Sequence, residues 1–173
     1  MFNKYTLSIS FFMICFGYMK EKFMRKAIEL SIENVKKNLG GPFGALVVKD
    51  GAIVATGTNC VTTDNDPTAH AEVIAIRNAC KKLNSFQLDD CEIYTSCEPC
   101  PMCMGAIYWA RPRAVYFGNT KADAAKIGFD DQFIYEELDL PMAKRNLQMS
   151  QILGEEAIVA FELWEKNSEK IDY

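Results

Sequence analysis

Two short segments of this chain have to meet in space. His70 and Glu72 lie in Pro67-Thr68-Ala69-His70-Ala71-Glu72, and Cys100 and Cys103 lie in Ser96-Cys97-Glu98-Pro99-Cys100-Pro101-Met102-Cys103. One imidazole and two thiolates make a three-ligand zinc set whose fourth tetrahedral position is open to water. Glu72 is outside the ligand count and close enough in sequence to take a proton from that water. His70 is the sole histidine of the 173 residues, so no other imidazole competes for the role. Any fold that serves this chemistry must carry both segments to one point. Cys97 leaves a second arrangement open, a closed site of Cys97, Cys100, Cys103 and His70 in which Glu72 has no task.

The pattern along the chain says how the two segments are brought together. Residues 20–39 place Phe23, Ala27, Leu30, Ile32 and Val35 at helical spacing among charges, and Gly40-Gly41-Pro42 ends that helix. Residues 45–48 and 52–55 read as two strands joined at Asp50-Gly51, a hairpin signal, and so as antiparallel neighbours. Asn59 follows in a polar stretch, where it reads either as a turn residue or as a binding group at a strand end. Asp66-Pro67 predicts a helix start, aspartate as N-cap and proline first, with His70 and Glu72 in its opening turns and Val73, Ile76, Ala79, Cys80 and Leu83 on its apolar face. Residues 91–95 read as a strand, and Pro99 predicts a second helix that carries Cys100 and Cys103 on one face until Arg111-Pro112 stops it. Residues 114–118 make another strand, 123–126 a short helix, Gly128-Phe129-Asp130-Asp131 a turn, 133–138 an acidic and aromatic segment, and 157–166 a final helix. The alternation predicts an α/β fold, a mixed sheet with helices on both faces that begins as a hairpin and continues in parallel crossovers. Both candidate segments then lie at helix starts on one end of the sheet.

Composition narrows the class of partner. Nineteen basic against twenty-three acidic residues give a net charge of -4, the wrong sign for a protein that holds a phosphate backbone by counterion release. No large nucleic acid partner is expected. Seven cysteines, an odd number gathered around one motif, fit reduced cytoplasmic thiols better than a disulfide framework. Residues 7–18 form an apolar run behind Lys4 that looks like the core of a secretory signal, without a small-x-small cleavage site and short of the about 20 residues that span a bilayer. No membrane association is expected, and residues 1–18 are read as an extension outside a single domain over residues 19–173. No phosphate loop, dinucleotide fingerprint or Ser-His-Asp arrangement is present.

A His-x-Glu followed by Pro-Cys-x-x-Cys is the signature of zinc deaminases that act on nucleobases. Beyond it, Asp66-Pro67-Thr68-Ala69-His70-Ala71-Glu72, Ser96 to Cys103, Ala106-Ile107-Tyr108-Trp109-Ala110-Arg111-Pro112 and Gly128-Phe129-Asp130-Asp131 together resemble the guanine deaminases of the cytidine/deoxycytidylate deaminase superfamily, from about residue 20 to the C-terminus. The zinc motifs mark only the superfamily; Trp109, the Phe-Asp-Asp turn and the terminal tyrosine resemble the guanine-specific branch. The resemblance implies a three-layer α/β/α sandwich with a mixed central sheet, hydrolysis of a small purine, guanine, to xanthine and ammonia, and one Zn2+ per subunit. It implies His70, Cys100 and Cys103 as ligands, Glu72 as proton shuttle, and Phe43, Asn59, Ala71, Trp109, Asp131 and Tyr173 as substrate contacts. It further implies a homodimer whose C-terminal segments can be exchanged, Tyr173 closing over the neighbouring site. The rivals are a deaminase of guanosine, cytosine or tRNA adenosine, and a structural zinc module.

Overall fold

Residues 45–48 are apolar in succession, with no polar alternation, and the strand that they form is buried on both faces. The computed structural model describes residues 4–172. Their elements are α1 (Lys4–Lys36), β1 (Gly44–Lys49), β2 (Ala52–Thr58), α2 (Val61–Asp64), α3 (Ala71–Leu83), β3 (Cys91–Cys97), α4 (Pro101–Ala110), β4 (Ala114–Asn119), α5 (Lys121–Lys126), α6 (Gln132–Asp139), a 3-10 turn (Met142–Lys144) and α7 (Gly154–Lys166). The chain separates into two compact units, one ending at Asp131 and the other beginning at Gln132.

In the first unit the strands run in the order β2-β1-β3-β4. β1 is antiparallel to both β2 and β3, and β3 is parallel to β4. The hairpin expected at Asp50-Gly51 is present, with Gly51 at φ +73. α3 and α4 are the two crossovers, and the first of them passes over β1 before β3 begins. One face of the sheet packs Ala45, Val47 and Ile93 against Ala71, Ala75 and Ala79 of α3 and Ile107 and Ala110 of α4. The other packs Leu46, Val48 and Tyr94 against Phe23 and Ala27 of α1. The result is the mixed sheet between helical layers that the sequence predicts.

Small residues set how closely α3 lies on the sheet. A Cβ at Gly57 of β2 would meet the Ala71 carbonyl at 2.2 Å and the Ala75 nitrogen at 2.5 Å. The start of α3, where the histidine and glutamate are, is therefore held directly over β2 and β1.

Three helix boundaries differ from expectation. α1 runs without a break from Lys4, not from about residue 20; the apolar residues 7–18 contain no proline to stop it. Asp66 caps a turn rather than a helix, since its Oδ1 accepts from the Thr68 N–H at 2.8 Å and the Thr68 hydroxyl at 2.7 Å; the same side-chain chemistry serves both purposes. α4 begins at Pro101, not Pro99, because a residue preceding proline is driven out of the helical region, and Cys100 accordingly has φ -67 and ψ 169. Residues 133–138, read only as acidic and aromatic, lie within α6. Among the described residues no helix is both long and apolar enough to cross a membrane.

Beneath α1, the buried Glu92 carboxylate accepts from the Tyr94 hydroxyl at 2.8 Å and from Arg113 at 3.1 Å. Burial, with the Glu92 hydrogen bond second, pushes the Tyr94 phenol up. Tyr94→Phe removes one donor from a buried carboxylate and is expected to cost about 1–3 kcal/mol. A urea titration reads this as a lower midpoint with an unchanged slope; a midpoint equal to that of the wild type would show that the carboxylate is resolvated.

In the second unit, Arg145 donates to the Leu138 and Leu140 carbonyls, both at 3.1 Å, and satisfies the end of α6. Asn146 binds the Glu137 carboxylate through its backbone and side-chain nitrogens, each at 2.8 Å. α7 has no buried residue and exposes Ile158, Phe161 and Leu163.

Candidate metal and substrate site

The two segments meet because each supplies the residue just before a helix. His70 is the N-cap of α3 and Cys100 the N-cap of α4, both with extended backbone and neither using its side chain to cap. With no capping bond to hold them, both side chains are free to face each other. Cys103, fully buried one turn into α4, completes the group. The His70 Nδ1 lies 3.5 Å from the Cys100 Sγ and 3.5 Å from the Cys103 Sγ, and the three ligand atoms all fall within 4.8 Å of one another.

That spacing fits zinc. Tetrahedral bonds of about 2.0–2.1 Å to nitrogen and about 2.3 Å to sulfur place those two atoms about 3.6 Å apart. The three side chains are also coupled to one another through protons that a bound zinc would displace. The Cys103 thiol, donating to Cys100 across the pair, holds the Cys100 thiol down at about 4, aided by the His70 hydrogen bond and opposed by burial. Sharing of that proton raises Cys103 correspondingly. The hydrogen bond to Cys100 keeps the His70 imidazole above its usual range. Two helix N-termini aimed at one point favour the anionic sulfur.

Cys97 does not join them. Its thiol lies at the end of β3 and donates to the Thr120 carbonyl at 3.6 Å. Burial first, then the nearby Glu72 carboxylate, pushes it up to about 11, the state of an inert thiol. The closed four-ligand site is not assembled.

Glu72, in the first turn of α3, is buried. Its Oε1 accepts from the Thr95 hydroxyl at 2.9 Å, and its Oε2 lies 3.4 Å from the Cys103 Sγ. Burial pushes this carboxyl above the ordinary glutamate range, which suits a group that both takes and returns a proton.

A cavity of about 690 Å3 opens beside this group and is lined, among others, by Phe43, Asn59, His70, Glu72, Phe129 and Asp131. Asn59 follows β2, and its Oδ1 accepts from the backbone N–H of Gly41 at 3.2 Å and of Val61 at 3.4 Å. Its amide nitrogen is thereby left for a ligand acceptor. Asn34 of α1 ties the two loops together, donating to the Gly41 carbonyl at 2.8 Å and the Asn59 carbonyl at 2.9 Å. Gly40 is required there, since a Cβ would meet the Asn59 carbonyl oxygen at 2.0 Å. Phe43 and Phe129 meet edge to face, with centroids 4.9 Å apart. Burial raises the Asp131 carboxyl.

Of the residues singled out from the sequence, His70, Glu72, Cys100, Phe43, Asn59 and Asp131 line this one cavity, and Cys103 lies behind it. Ala71 is buried as the first residue of α3. Trp109 is elsewhere, 64% exposed on α4 and not among the described residues that line the cavity. Tyr173 lies outside the described residues. Phe129 and Thr95 were not singled out; the first belongs to the Gly-Phe-Asp-Asp turn, and the second is visible only as a polar residue on the inward-facing alternation Cys91, Ile93, Thr95, Cys97 of β3.

Comparison with known proteins agrees with this geometry. Residues 18–119 match the family model described as the cytidine and deoxycytidylate deaminase zinc-binding region. The chain is 56% identical over 153 residues to the guanine deaminase of Bacillus subtilis (strain 168), covering 88% of this chain and 98% of that one. The crystal structure of a Bacillus subtilis guanine deaminase matches with a TM-score of 0.86 over the same shares. A tRNA-specific adenosine deaminase of Haemophilus influenzae is 38% identical over 141 residues, 78% of this chain and 80% of that protein. A structure of guanine deaminase from Nitrosomonas europaea matches with a TM-score of 0.60 at 36% identity, over 63% of each chain.

Proposed function

The chain belongs to the cytidine and deoxycytidylate deaminase zinc-binding family, and on that premise we propose that it hydrolyses guanine to xanthine and ammonia, with His70, Cys100 and Cys103 holding one zinc. The observation that supports this above the others is the convergence of two helix N-caps and Cys103 at tetrahedral zinc spacing, beside a buried carboxylate and an aromatic cavity. Zinc held there supplies a Lewis-acidic position at which water ionises near neutral pH.

The chain's own residues account for the rest. Glu72 takes a proton from the attacking water and passes it to a ring nitrogen, and then serves the departing amine, which leaves as ammonia. Water's oxygen becomes the new carbonyl, so that guanine plus water gives xanthine plus ammonia. The Asn59 amide donates to the purine carbonyl, its own oxygen being held by Gly41 and Val61. The Asp131 carboxylate accepts from a ring N–H, and Phe43 with Phe129 provides an apolar wall for the ring. The acidic groups Glu98, Asp130 and Asp131 around the cavity disfavour a polyanionic RNA substrate.

A homodimer with exchanged C-terminal segments is part of the same proposal, Tyr173 closing over the neighbouring site. The apolar residues that α7 exposes support it, since an exchanged helix displays such a face until its partner covers it. A cytoplasmic location is supported by the six described cysteines, all of them free thiols.

The test is ammonia release by the zinc-loaded protein from guanine, guanosine, cytosine, adenine and a tRNA anticodon stem. Guanine is expected to be the preferred substrate. Turnover of another member with none of guanine would overturn the assignment.

A further inference from the structure

The carboxylate of Glu72 is held unequally. Its Oε1 accepts a 2.9 Å hydrogen bond from the Thr95 hydroxyl, and Thr95 is fully buried. Its Oε2 lies 3.4 Å from the Cys103 sulfur, and the carboxylate also takes a hydrogen bond from the Glu72 backbone N–H. A cysteine that ligates zinc is a thiolate without a proton to give, so the sulfur contact cannot persist as a hydrogen bond in the loaded protein. Among the described residues, Thr95 is then the side-chain donor that continues to hold this carboxylate.

Thr95 itself is anchored within the sheet. It lies in β3 between Ala45 of antiparallel β1 and Phe117 of parallel β4. Its β-branched side chain has restricted χ1 freedom, so the hydroxyl points in a fixed direction. The hydroxyl is one donor, and the carboxylate oxygen that it faces is its partner.

We propose that Thr95 is a positioning residue that divides the two oxygens of Glu72 by task, fixing Oε1 so that Oε2 alone meets the attacking water and the leaving amine. This rests on the role of Glu72 given above. Without the hydroxyl the Glu72 backbone N–H is left to restrain the carboxylate, which then rotates about its last bond and spends part of its time with neither oxygen in place. Loss of orientation at this scale lowers the rate of the chemical step by up to about 100-fold, while substrate binding, made through Asn59, Asp131 and Phe43, is left alone.

The experiment compares Thr95→Val, Thr95→Ser and Thr95→Ala with the wild type, each loaded with zinc, on whichever ring of the panel the wild type turns over. A wild type that is active on a ring other than guanine therefore overturns the guanine assignment without affecting this comparison. Thr95→Val is expected to keep its zinc content and its KM within about threefold and to lose about 10- to 100-fold in kcat, with Thr95→Ser restoring most of the loss. Infrared difference spectra between each variant and its Glu72→Gln counterpart should show a displaced carboxylate stretch in Thr95→Val and an unchanged one in Thr95→Ser. Should the valine chain fail to fold, Thr95→Ala and Thr95→Ser differ by the hydroxyl alone, and the serine chain should be the faster by a similar factor. Equal kcat with and without the hydroxyl would overturn the proposal, as would a loss that appears in KM or zinc content instead.

Discussion

Glu72→Gln is expected to keep its zinc and to lose about 100- to 10,000-fold in kcat, the range for removal of a general acid–base group. The amide has the same shape as the carboxylate and can still accept from the Thr95 hydroxyl, which is 2.9 Å away, so the helix start and the ligand set should be undisturbed. It cannot take a proton from water, nor return one to the departing amine, and both steps depend on the same atom. Because Asn59, Asp131 and Phe43 line the cavity independently of that carboxyl, guanine should bind with KM changed by no more than a few fold. Metal analysis beside steady-state kinetics separates the outcomes. Near-native turnover with zinc bound would mean that another group moves the protons.

The cysteines give the second large effect, and they distinguish an open zinc site from a closed one. Cys103→Ser replaces a fully buried ligand with a hydroxyl that binds zinc weakly, and the variant should lose zinc on dialysis against a chelator together with all measurable deamination. The loss of affinity should exceed the about 10- to 100-fold typical of removing an outer partner of a ligand. Cys97→Ser should retain both, because that thiol is occupied with the Thr120 carbonyl, 3.6 Å away. Loss of zinc from both variants alike would favour the four-ligand structural site and leave Glu72 without a task.

Much of this was readable from residue order, and the exceptions have local causes. The hairpin at Asp50-Gly51 follows from turn chemistry, and the two-sided burial of β1 from its unbroken apolar run. The convergence of His70 with Cys100 and Cys103 follows from ligand type and spacing alone. Asp66-Pro67 misled because an aspartate that binds a backbone N–H two residues on serves a turn as well as a cap. Pro99 misled although Pro101 already held the answer, since a residue preceding a proline is driven away from the helical region, and Cys100 is extended. Both shifts moved a candidate ligand from inside a helix to the position just before it, where His70 and Cys100 face each other across two helix starts.

Other features depend on long-range packing that no local pattern contains. Thr95 reads as an ordinary strand residue until β3 is laid beside the start of α3. Asn34 reads as a helix residue until its amide is seen to join the Gly41 and Asn59 loops. Trp109 matched a family pattern in sequence yet is exposed on α4, outside the cavity of its own chain.

The most direct measurement is the isotopic composition of the product when zinc-loaded protein acts on guanine in water enriched in oxygen-18. Hydrolysis at the amino-bearing carbon predicts xanthine carrying one solvent oxygen, with ammonia released in equal amount and both formed at least about 100-fold more slowly by Glu72→Gln. Xanthine without solvent oxygen, or guanine left intact by a protein with its zinc in place, would contradict the account.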